Sequence, residues 1–352
     1  MDMPVRCSRL LVASLWMLLL ALSPAGASER ANTGGVGFQA ISIHDPVTGG
    51  EMPGYVFYPS AGASGTTWRG PYEVQATPGA PAIPGARPLI VVSHGHAGSA
   101  LGHHDLAEYL AARGFVVATF EHPGDNFHDQ GGTGTATVLD GRPVQIKAVI
   151  HWLLDDPQWK PLIDADRIGV AGFSAGGYSA LAVVGAVPRF DLYVGYCARY
   201  PQDPDCGLLQ KLQAEGKAAQ ALDALQSGFG AWGGADAPEV KAAFVMAPLG
   251  LVFDKAGVSG VKRPVFLYYA EEDKVLPPQE NARHLASLLG TRASVKAIPK
   301  AGHYIFLAPC SPDLAKEVPD LCEDAPGIDR AAEHRRINAD ALAFFREKLG
   351  VQ

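Results

Sequence analysis

The most constraining stretch of the chain is an apolar run that ends in a Gly-x-Ser-x-Gly motif. Residues 168–171 are glycine or apolar, and Gly172 and Gly176 flank Ser174. This order is typical of a nucleophile elbow, in which a strand turns sharply into a helix with the serine at the apex. The strained apex needs small neighbours so that strand and helix can approach closely. The motif predicts a reactive Ser174 hydroxyl above a sheet; a glycine-rich turn that only packs tightly is the alternative.

Strand and helix patterns alternate along most of the chain. Residues 88–93 and 115–120 are continuous apolar runs of strand length, and a helical pattern at 102–113 separates them. Further strands are predicted at 242–248 and 265–270. Continuous apolar runs are typical of parallel strands that are buried on both faces. The pattern predicts a mostly parallel, doubly wound sheet with helices on both faces and a ligand site at the carboxyl ends of its strands.

Two long segments interrupt this alternation. Residues 61–87 are rich in Gly, Pro, Thr and Ala and predict a surface loop. Residues 188–240 contain two cysteines and a helical pattern, and a small insertion over the site would lie there. We therefore interpret residues 28–352 as one domain with an insertion at about 188–240.

The first residues, 1–27, have the features of a secretory signal peptide. Arg6 and Arg9 precede an apolar run at 10–22, and residues 25–27 supply an Ala-x-Ala cleavage site. The run is too short to predict a membrane span. We expect an exported protein, periplasmic or extracellular, with no transmembrane segment in the mature chain.

Four cysteines remain after that cleavage. An even number of cysteines in an exported chain indicates disulfides. Four cysteines allow three connectivities, of which we favour the two local pairs, Cys197–Cys206 and Cys310–Cys322. Free buried thiols are the alternative.

The acid of a catalytic triad is predicted downstream of the elbow. A serine needs a general base, and that base needs a carboxylate to hold its tautomer. In folds with this elbow the chain order is Ser, then Asp or Glu, then His. Asp273 follows the strand at 265–270 in an Asp-x-Val-x-Pro turn, and Glu272 is the alternative acid.

The base is predicted to be His303. It follows a short predicted strand, on a loop of small residues that can bring the imidazole over the elbow. His284 and His334 are the other downstream histidines. Both lie in helical patterns among charged residues, so we expect them on the surface.

An oxyanion hole needs two donors that point to the developing negative charge. The backbone N–H of Ala175, directly after the nucleophile, is the first candidate. The backbone N–H of His96, in the loop after the strand at 88–93, is the second. His122 and Tyr304 are candidates for lining the pocket.

The chain resembles the α/β-hydrolases in several motifs. They are Asp273 and the segments 93–99, 121–124, 172–177, 301–303 and 309–312. More narrowly, residues 54–349 resemble the secreted bacterial proteins related to platelet-activating-factor acetylhydrolases, often called predicted dienelactone hydrolases. The resemblance implies an α/β-hydrolase fold and a Ser-His-Asp esterase that cleaves short acyl esters through an acyl-enzyme. A lipid-directed phospholipase-type activity or a polyester hydrolase would use the same triad. Dienelactone hydrolases themselves carry a cysteine nucleophile where this chain has Ser174, so their substrate is not implied.

A metal site is the main rival interpretation, because six of the eleven histidines lie close together in the sequence: His94, His96, His103, His104, His122 and His128. The stretch from His94 begins like a His-x-His-x-Asp-His metal motif, but Gly98 and Ser99 stand where further ligands would be. We therefore predict neither a metal nor a cofactor.

A non-catalytic ligand-binding module is the second rival, and the complete Ser-Asp-His order argues against it. The expected partner is a small-molecule or lipid ester. A net charge of −7 gives no support for binding to nucleic acid.

Overall fold

The structure is a computed structural model that describes Met1 and residues 34–203, 206–231 and 234–351. Residues Asn32–Gln352 form one compact unit. The predicted signal peptide at 1–27 lies, apart from Met1, outside the described residues. In the part that is described, no helix is both long enough and apolar enough to cross a membrane.

Nine of the described strands form one sheet, and two form a separate hairpin. Their bounds in chain order are β1 (Gly35–His44), β2 (Glu51–Ser60), β3 (Thr67–Arg69), β4 (Tyr72–Val74), β5 (Thr77–Pro78), β6 (Arg87–Ser93), β7 (Val116–Phe120), β8 (Ile163–Phe173), β9 (Val240–Met246), β10 (Val265–Ala270) and β11 (Ala293–Ile298). The order across the sheet is β11-β10-β9-β8-β6-β7-β2-β1-β5. Neighbouring strands from β11 to β7 are parallel, and β2 is antiparallel to both of its neighbours. The prediction of a mostly parallel sheet is confirmed.

Helices connect these strands in the alternation that the sequence predicts. Their bounds are α1 (His104–Ala111), α2 (Ala136–Leu139), α3 (Gly141–Asp155), α4 (Ala175–Val183), α5 (Asp191–Arg199), α6 (Gly207–Ala214), α7 (Ala218–Ala231), α8 (Ala282–Leu289), α9 (Pro312–Glu317), α10 (Pro319–Cys322) and α11 (Arg330–Leu349). Short 3₁₀ turns lie at Lys160–Leu162, Gly290–Arg292 and His303–Phe306.

Alternate residues of the central strands face two different helix layers. In β6, Leu89 and Val91 pack in one core with α3, α4 and α8. Their neighbours Ile90 and Val92 pack in a second core with α1 and α11. Burial on both faces explains why these strands read as continuous apolar runs. The prediction of helices on both faces of the sheet is confirmed.

The segment 61–87 differs from the expected plain loop. It contains the β3–β4 hairpin and the short edge strand β5. The Ser99 hydroxyl donates to the hydroxyl of Tyr72, and the Ser311 hydroxyl donates to the carbonyl of Pro71. These contacts attach the hairpin to the body of the fold, and they join residues too distant in sequence for a local pattern to indicate.

The segment 188–240 forms helices α5, α6 and α7 between α4 and β9. The disulfide Cys197–Cys206 joins α5 to the residue before α6, and Cys310–Cys322 joins the residues around α9 and α10. Both local pairings predicted from the sequence are therefore confirmed.

Candidate active site

The Gly-x-Ser-x-Gly motif forms a sharp turn between β8 and α4. Ser174 has φ +55° and ψ −117°, a conformation that costs energy for a residue with a Cβ. A Cβ on Gly172 would lie 2.1 Å from the carbonyl oxygen of Gly176, and one on Gly176 would lie 2.0 Å from the carbonyl oxygen of Ser93. The Ser174 amide donates to the carbonyl of Met246 on β9 at 2.9 Å. The turn therefore has the geometry of a nucleophile elbow, and the two glycines are required by close approach.

Asp273 and His303 meet in a buried pair beside this turn. His303 Nδ1 lies 2.7 Å from Asp273 Oδ2, and Asp273 Oδ1 accepts from the amides of Val275 and Leu276 at 2.9 and 2.8 Å. A carboxylate in this position keeps the proton on Nδ1 and leaves Nε2 as a proton acceptor. The imidazole centroid lies 4.7 Å from the ring of Phe173, the residue directly before the motif serine. The structure therefore brings the predicted acid and base together at the elbow.

Glu272, His284 and His334, the alternatives for acid and base, are not part of this buried pair. Glu272 is exposed and lines a cleft. His284 Nε2 lies 2.8 Å from the carbonyl oxygen of Phe253. The expectation of a surface position for His334 was wrong, because that side chain is buried and its Nδ1 lies 2.7 Å from a carboxylate oxygen of Asp105. Pairing with a carboxylate compensates for the burial of a polar ring.

The two amides predicted to bind an oxyanion belong to neighbouring elements. Ala175 is the first residue of α4, and amides of a first helical turn have no acceptor within the helix. In the loop after β6, the Ala97 amide donates to Asp125 Oδ1 at 3.2 Å and the next amide donates to the carbonyl of Gly95 at 3.2 Å. These bonds occupy the amides that follow His96. The His96 amide is therefore the candidate donor of this loop.

A fully buried arginine, which the sequence reading missed, holds this loop in place. Arg142 on α3 donates from Nη1 to Asp125 Oδ2 at 2.6 Å and from Nη2 to the carbonyl of His94. Asp125 also accepts from the Ala97 amide and from the His96 imidazole, the latter at 2.5 Å. Burial raises the pKa of Asp125, but the bonds from His96 and the charge of Arg142 outweigh it and hold that pKa below its ordinary value. The Asp125 carboxylate is thus charged, and its bonds to the His96 ring and the Ala97 amide fix the loop.

His94 and His122 are neutral members of the same buried network. His94 Nδ1 donates to the carbonyl of Gly95 at 2.6 Å, and its Nε2 accepts from the His122 amide at 3.1 Å. His122 Nδ1 lies 2.6 Å from Gln145 Oε1, and its Nε2 lies 2.8 Å from Ser93 Oγ. Burial is the main cause that lowers the pKa of His94 to about 3 and that of His122 well below its ordinary value. The expectation that His122 lines the pocket was wrong, because its side chain is fully buried.

A cleft of about 250 Å³ opens directly beside His303. Tyr304, the other residue expected in the pocket, lines this cleft. Its walls come from the loops after β10 and β11 and from the segment after α10, namely Glu272, Lys274, Val275, Lys300, Gly302, Ile305, Glu323, Asp324 and Ala325. Ser174, Ala175 and His96 are not among its lining residues, so this cleft adjoins the base and not the nucleophile.

The histidine cluster does not form a metal centre within the described residues. No three His, Cys, Asp or Glu side chains in that part of the chain are placed to hold one ion. His104 Nδ1 instead lies 2.8 Å from a carboxylate oxygen of Glu108, and the His96 ring is bonded to Asp125. His94, His96 and His122 instead belong to the hydrogen-bond network described above.

Comparisons with known proteins agree with this fold. The model of the Prolyl oligopeptidase family matches residues 104–201. NocK of Nocardia uniformis subsp. tsuyamanensis, a protein provisionally named an esterase, is 31% identical over 138 residues, which are 38% of each protein. The chain thus spans 38% of the length of this curated relative.

Two solved structures are similar over most of the chain. A ferulic acid esterase from Streptomyces cinnamoneus superposes with a TM-score of 0.61 at 22% identity and covers 93% of both chains. A puromycin-hydrolysing peptidase of Mycobacterium tuberculosis superposes with a TM-score of 0.53 at 14% identity over 89% of this chain and 39% of that one. With the sheet order and the elbow, these likenesses establish that the chain has the α/β-hydrolase fold.

Proposed function

We propose that this protein is a serine hydrolase of carboxylic esters, with Ser174, His303 and Asp273 as its catalytic triad. The observation that carries the proposal is the buried 2.7 Å contact between His303 Nδ1 and Asp273 Oδ2 beside the strained turn of Ser174. A ligand-binding module would need neither the strained serine nor an oriented imidazole. NocK, the protein provisionally named an esterase, is similar to this chain over 38% of its length, and this similarity supports the same reaction.

The proposed mechanism is acyl transfer in two stages. His303 Nε2 takes the proton of the Ser174 hydroxyl as its oxygen attacks the ester carbonyl, and the resulting oxyanion is bound by the amides of Ala175 and His96. Protonated His303 then gives its proton to the leaving alcohol. Water, activated by the same imidazole, releases the acid from the acyl-enzyme. Asp273 orients the ring and stabilises its charged form throughout.

Short-chain acyl esters are the proposed substrate class. The cleft that adjoins His303 is small, about 250 Å³ against roughly 300–1,000 Å³ for typical ligand pockets, which favours a short group on that side of the base. Lipid esters of the platelet-activating-factor type, polyesters, hydroxycinnamoyl esters and peptide bonds are the competing substrates. All of them would react through the same triad, so the substrate and not the chemistry distinguishes these activities.

We also propose that the protein is exported. Disulfides persist in oxidising compartments, and Cys197–Cys206 and Cys310–Cys322 are both formed. An N-terminal sequence read from protein secreted by the native host, beginning near Ser28, would support this proposal; recovery from the cytosol with residue 1 intact would reject it.

Hydrolysis of p-nitrophenyl esters tests the proposed function. We expect turnover of p-nitrophenyl acetate that falls with acyl length and is reduced at least 10³-fold in Ser174→Ala, since the residual rate comes from binding and the oxyanion hole alone. Methyl ferulate, a short-chain phospholipid and an aminoacyl p-nitroanilide test the competing substrates. A wild-type rate equal to that of Ser174→Ala on all of them would reject a serine hydrolase.

A further inference from the structure

The 3₁₀ turn His303–Phe306, which carries the candidate base, is contacted by a buried histidine of α11. His334 lies with its Nε2 2.8 Å from the carbonyl oxygen of Ile305. The His334 side chain is buried. The turn is thus held at the carbonyl of Ile305, two residues after the candidate base.

Both ring nitrogens of His334 face hydrogen-bond acceptors. Nδ1 lies 2.7 Å from Asp105 Oδ2, and Nε2 lies 2.8 Å from the carbonyl oxygen of Ile305. A neutral imidazole has one N–H, so it can satisfy only one of these acceptors. The two contacts together require the imidazolium form. Asp105 supplies the compensating charge, and Asn338 donates to the same carboxylate oxygen at 2.8 Å.

We propose that His334, kept as a buried imidazolium by Asp105, is a positioning residue for His303 and holds the turn of the catalytic base through the carbonyl of Ile305. This proposal rests on the proposed function for its kinetic consequences but not for the charge of the ring. His334 does not touch the substrate or the reacting atoms. Its removal should therefore lower the rate of the chemical step and leave substrate binding nearly unchanged.

The charges around His334 support the protonated ring. Burial opposes it, but the Asp105 carboxylate outweighs burial and raises the pKa of His334 above its ordinary value. The positive charge of Arg330 on α11 lowers the pKa of His334. His103, before α1, and His104, the first residue of α1, also lower it when they carry charge. The charge of Asp105 and the two ring contacts thus both favour the imidazolium. When pH rises past the raised pKa, a ring that keeps its bond to Asp105 turns a lone pair toward the Ile305 carbonyl.

This switch predicts an alkaline limb in the pH profile of kcat. That limb reports loss of the second proton from His334. Asp105→Asn keeps an acceptor for Nδ1 but removes the charge that raises the pKa of His334. We expect this variant to move the alkaline limb to lower pH.

Kinetics of His334 variants supply the second measurement. His334→Ala should lower kcat on p-nitrophenyl acetate about 100-fold, the size expected when a catalytic group is displaced by about 1 Å, with KM changed less than about 3-fold. His334→Gln keeps one donor for Ile305 and should recover part of that loss. His284→Gln is the matched control, because His284 also contacts a backbone carbonyl, that of Phe253 at 2.8 Å, and should keep wild-type kcat.

Nitrogen-15 chemical shifts of the histidine rings of the wild-type protein decide the proposal without any activity. Two protonated nitrogens on His334 at pH 7 are expected. A single proton on that ring, or an unmoved alkaline limb in Asp105→Asn, would overturn the proposal even if His334→Ala fails to fold. Failure of a fluorophosphonate to label Ser174 in the wild-type protein would instead reject the proposed function, while the ring measurement would still stand.

Discussion

Replacing Arg142 by methionine is the most informative perturbation of the buried network. The side chain of Arg142 is 0% exposed and that of its partner Asp125 is 3% exposed, so water cannot replace the lost contact. Methionine has a similar length and fills most of the space without a charge. It leaves the Asp125 carboxylate without its cation, and it removes a donor from the carbonyl of His94.

The size of the effect follows from the cost of a buried, uncompensated charge. Breaking a buried ion pair by removing one partner costs about 3–5 kcal/mol. Asp125 retains the bonds from the Ala97 amide and the His96 imidazole, so we expect the lower end, about 3 kcal/mol. This is a large part of the roughly 5–15 kcal/mol that stabilises a typical protein. The oxyanion loop should also loosen, which would lower kcat/KM for p-nitrophenyl acetate.

Urea unfolding at pH 7 measures the free-energy change, and a double-mutant cycle isolates the pair. Arg142→Met combined with Asp125→Asn should be less destabilised than the sum of the two single variants, because the second change removes the orphaned charge. Arg167→Met is the matched control, since its pair with Asp164 is partly exposed and should contribute at most about 1 kcal/mol. An Arg142→Met variant no less stable than this control would refute the reasoning.

Three further predictions concern Gly176, Asp140 and the Cys310–Cys322 disulfide. Gly176→Ala places a Cβ 2.0 Å from the carbonyl oxygen of Ser93, so we expect about 1–3 kcal/mol of destabilisation by urea unfolding and strongly reduced esterase activity; normal values of both would contradict the close approach. Burial raises the pKa of Asp140 to about 8, above its unfolded value of about 3.9. The wild type should therefore lose stability relative to Asp140→Asn as pH rises from 5 to 8. A difference between the unfolding free energies of the two proteins that stays constant over this range would contradict the prediction. Replacing both Cys310 and Cys322 by serine should lower the unfolding free energy by about 3 kcal/mol, and unchanged urea midpoints with and without reductant would show that this disulfide adds nothing.

The sequence predicts those parts of the fold and site that depend on local patterns. A strand buried on both faces is a continuous apolar run, and the elbow needs small residues at fixed positions around Ser174. Asp273 and His303 follow their strands in chain order, so each lies at the carboxyl edge of the sheet where the site is expected. The same local reasoning identified the two disulfides, whose cysteines are 9 and 12 residues apart.

The sequence did not predict the polar network that supports the site, because its contacts join distant residues. Asp105 and His334 are 229 positions apart, and the charged residues around His334 on α11 are typical of a surface helix. Arg142 likewise bonds to a loop carbonyl 48 positions earlier in the chain. The available signal was the presence of Arg142 and Gln145 among the apolar residues that α3 buries. Polar residues on a buried helix face indicate a network, but their partners become evident only in three dimensions.

The central claim is that Ser174 is the nucleophile and that His303 activates it. Intact-mass and peptide mapping after treatment with a fluorophosphonate tests that claim most directly, because the reagent forms a stable adduct only with an activated serine. We predict one adduct per chain, located on Ser174, formed at least 100-fold more slowly in His303→Ala, and not formed on the same peptide in Ser174→Ala. No adduct in the wild-type protein, an adduct on another residue, or equal labelling rates in wild type and His303→Ala would contradict the account.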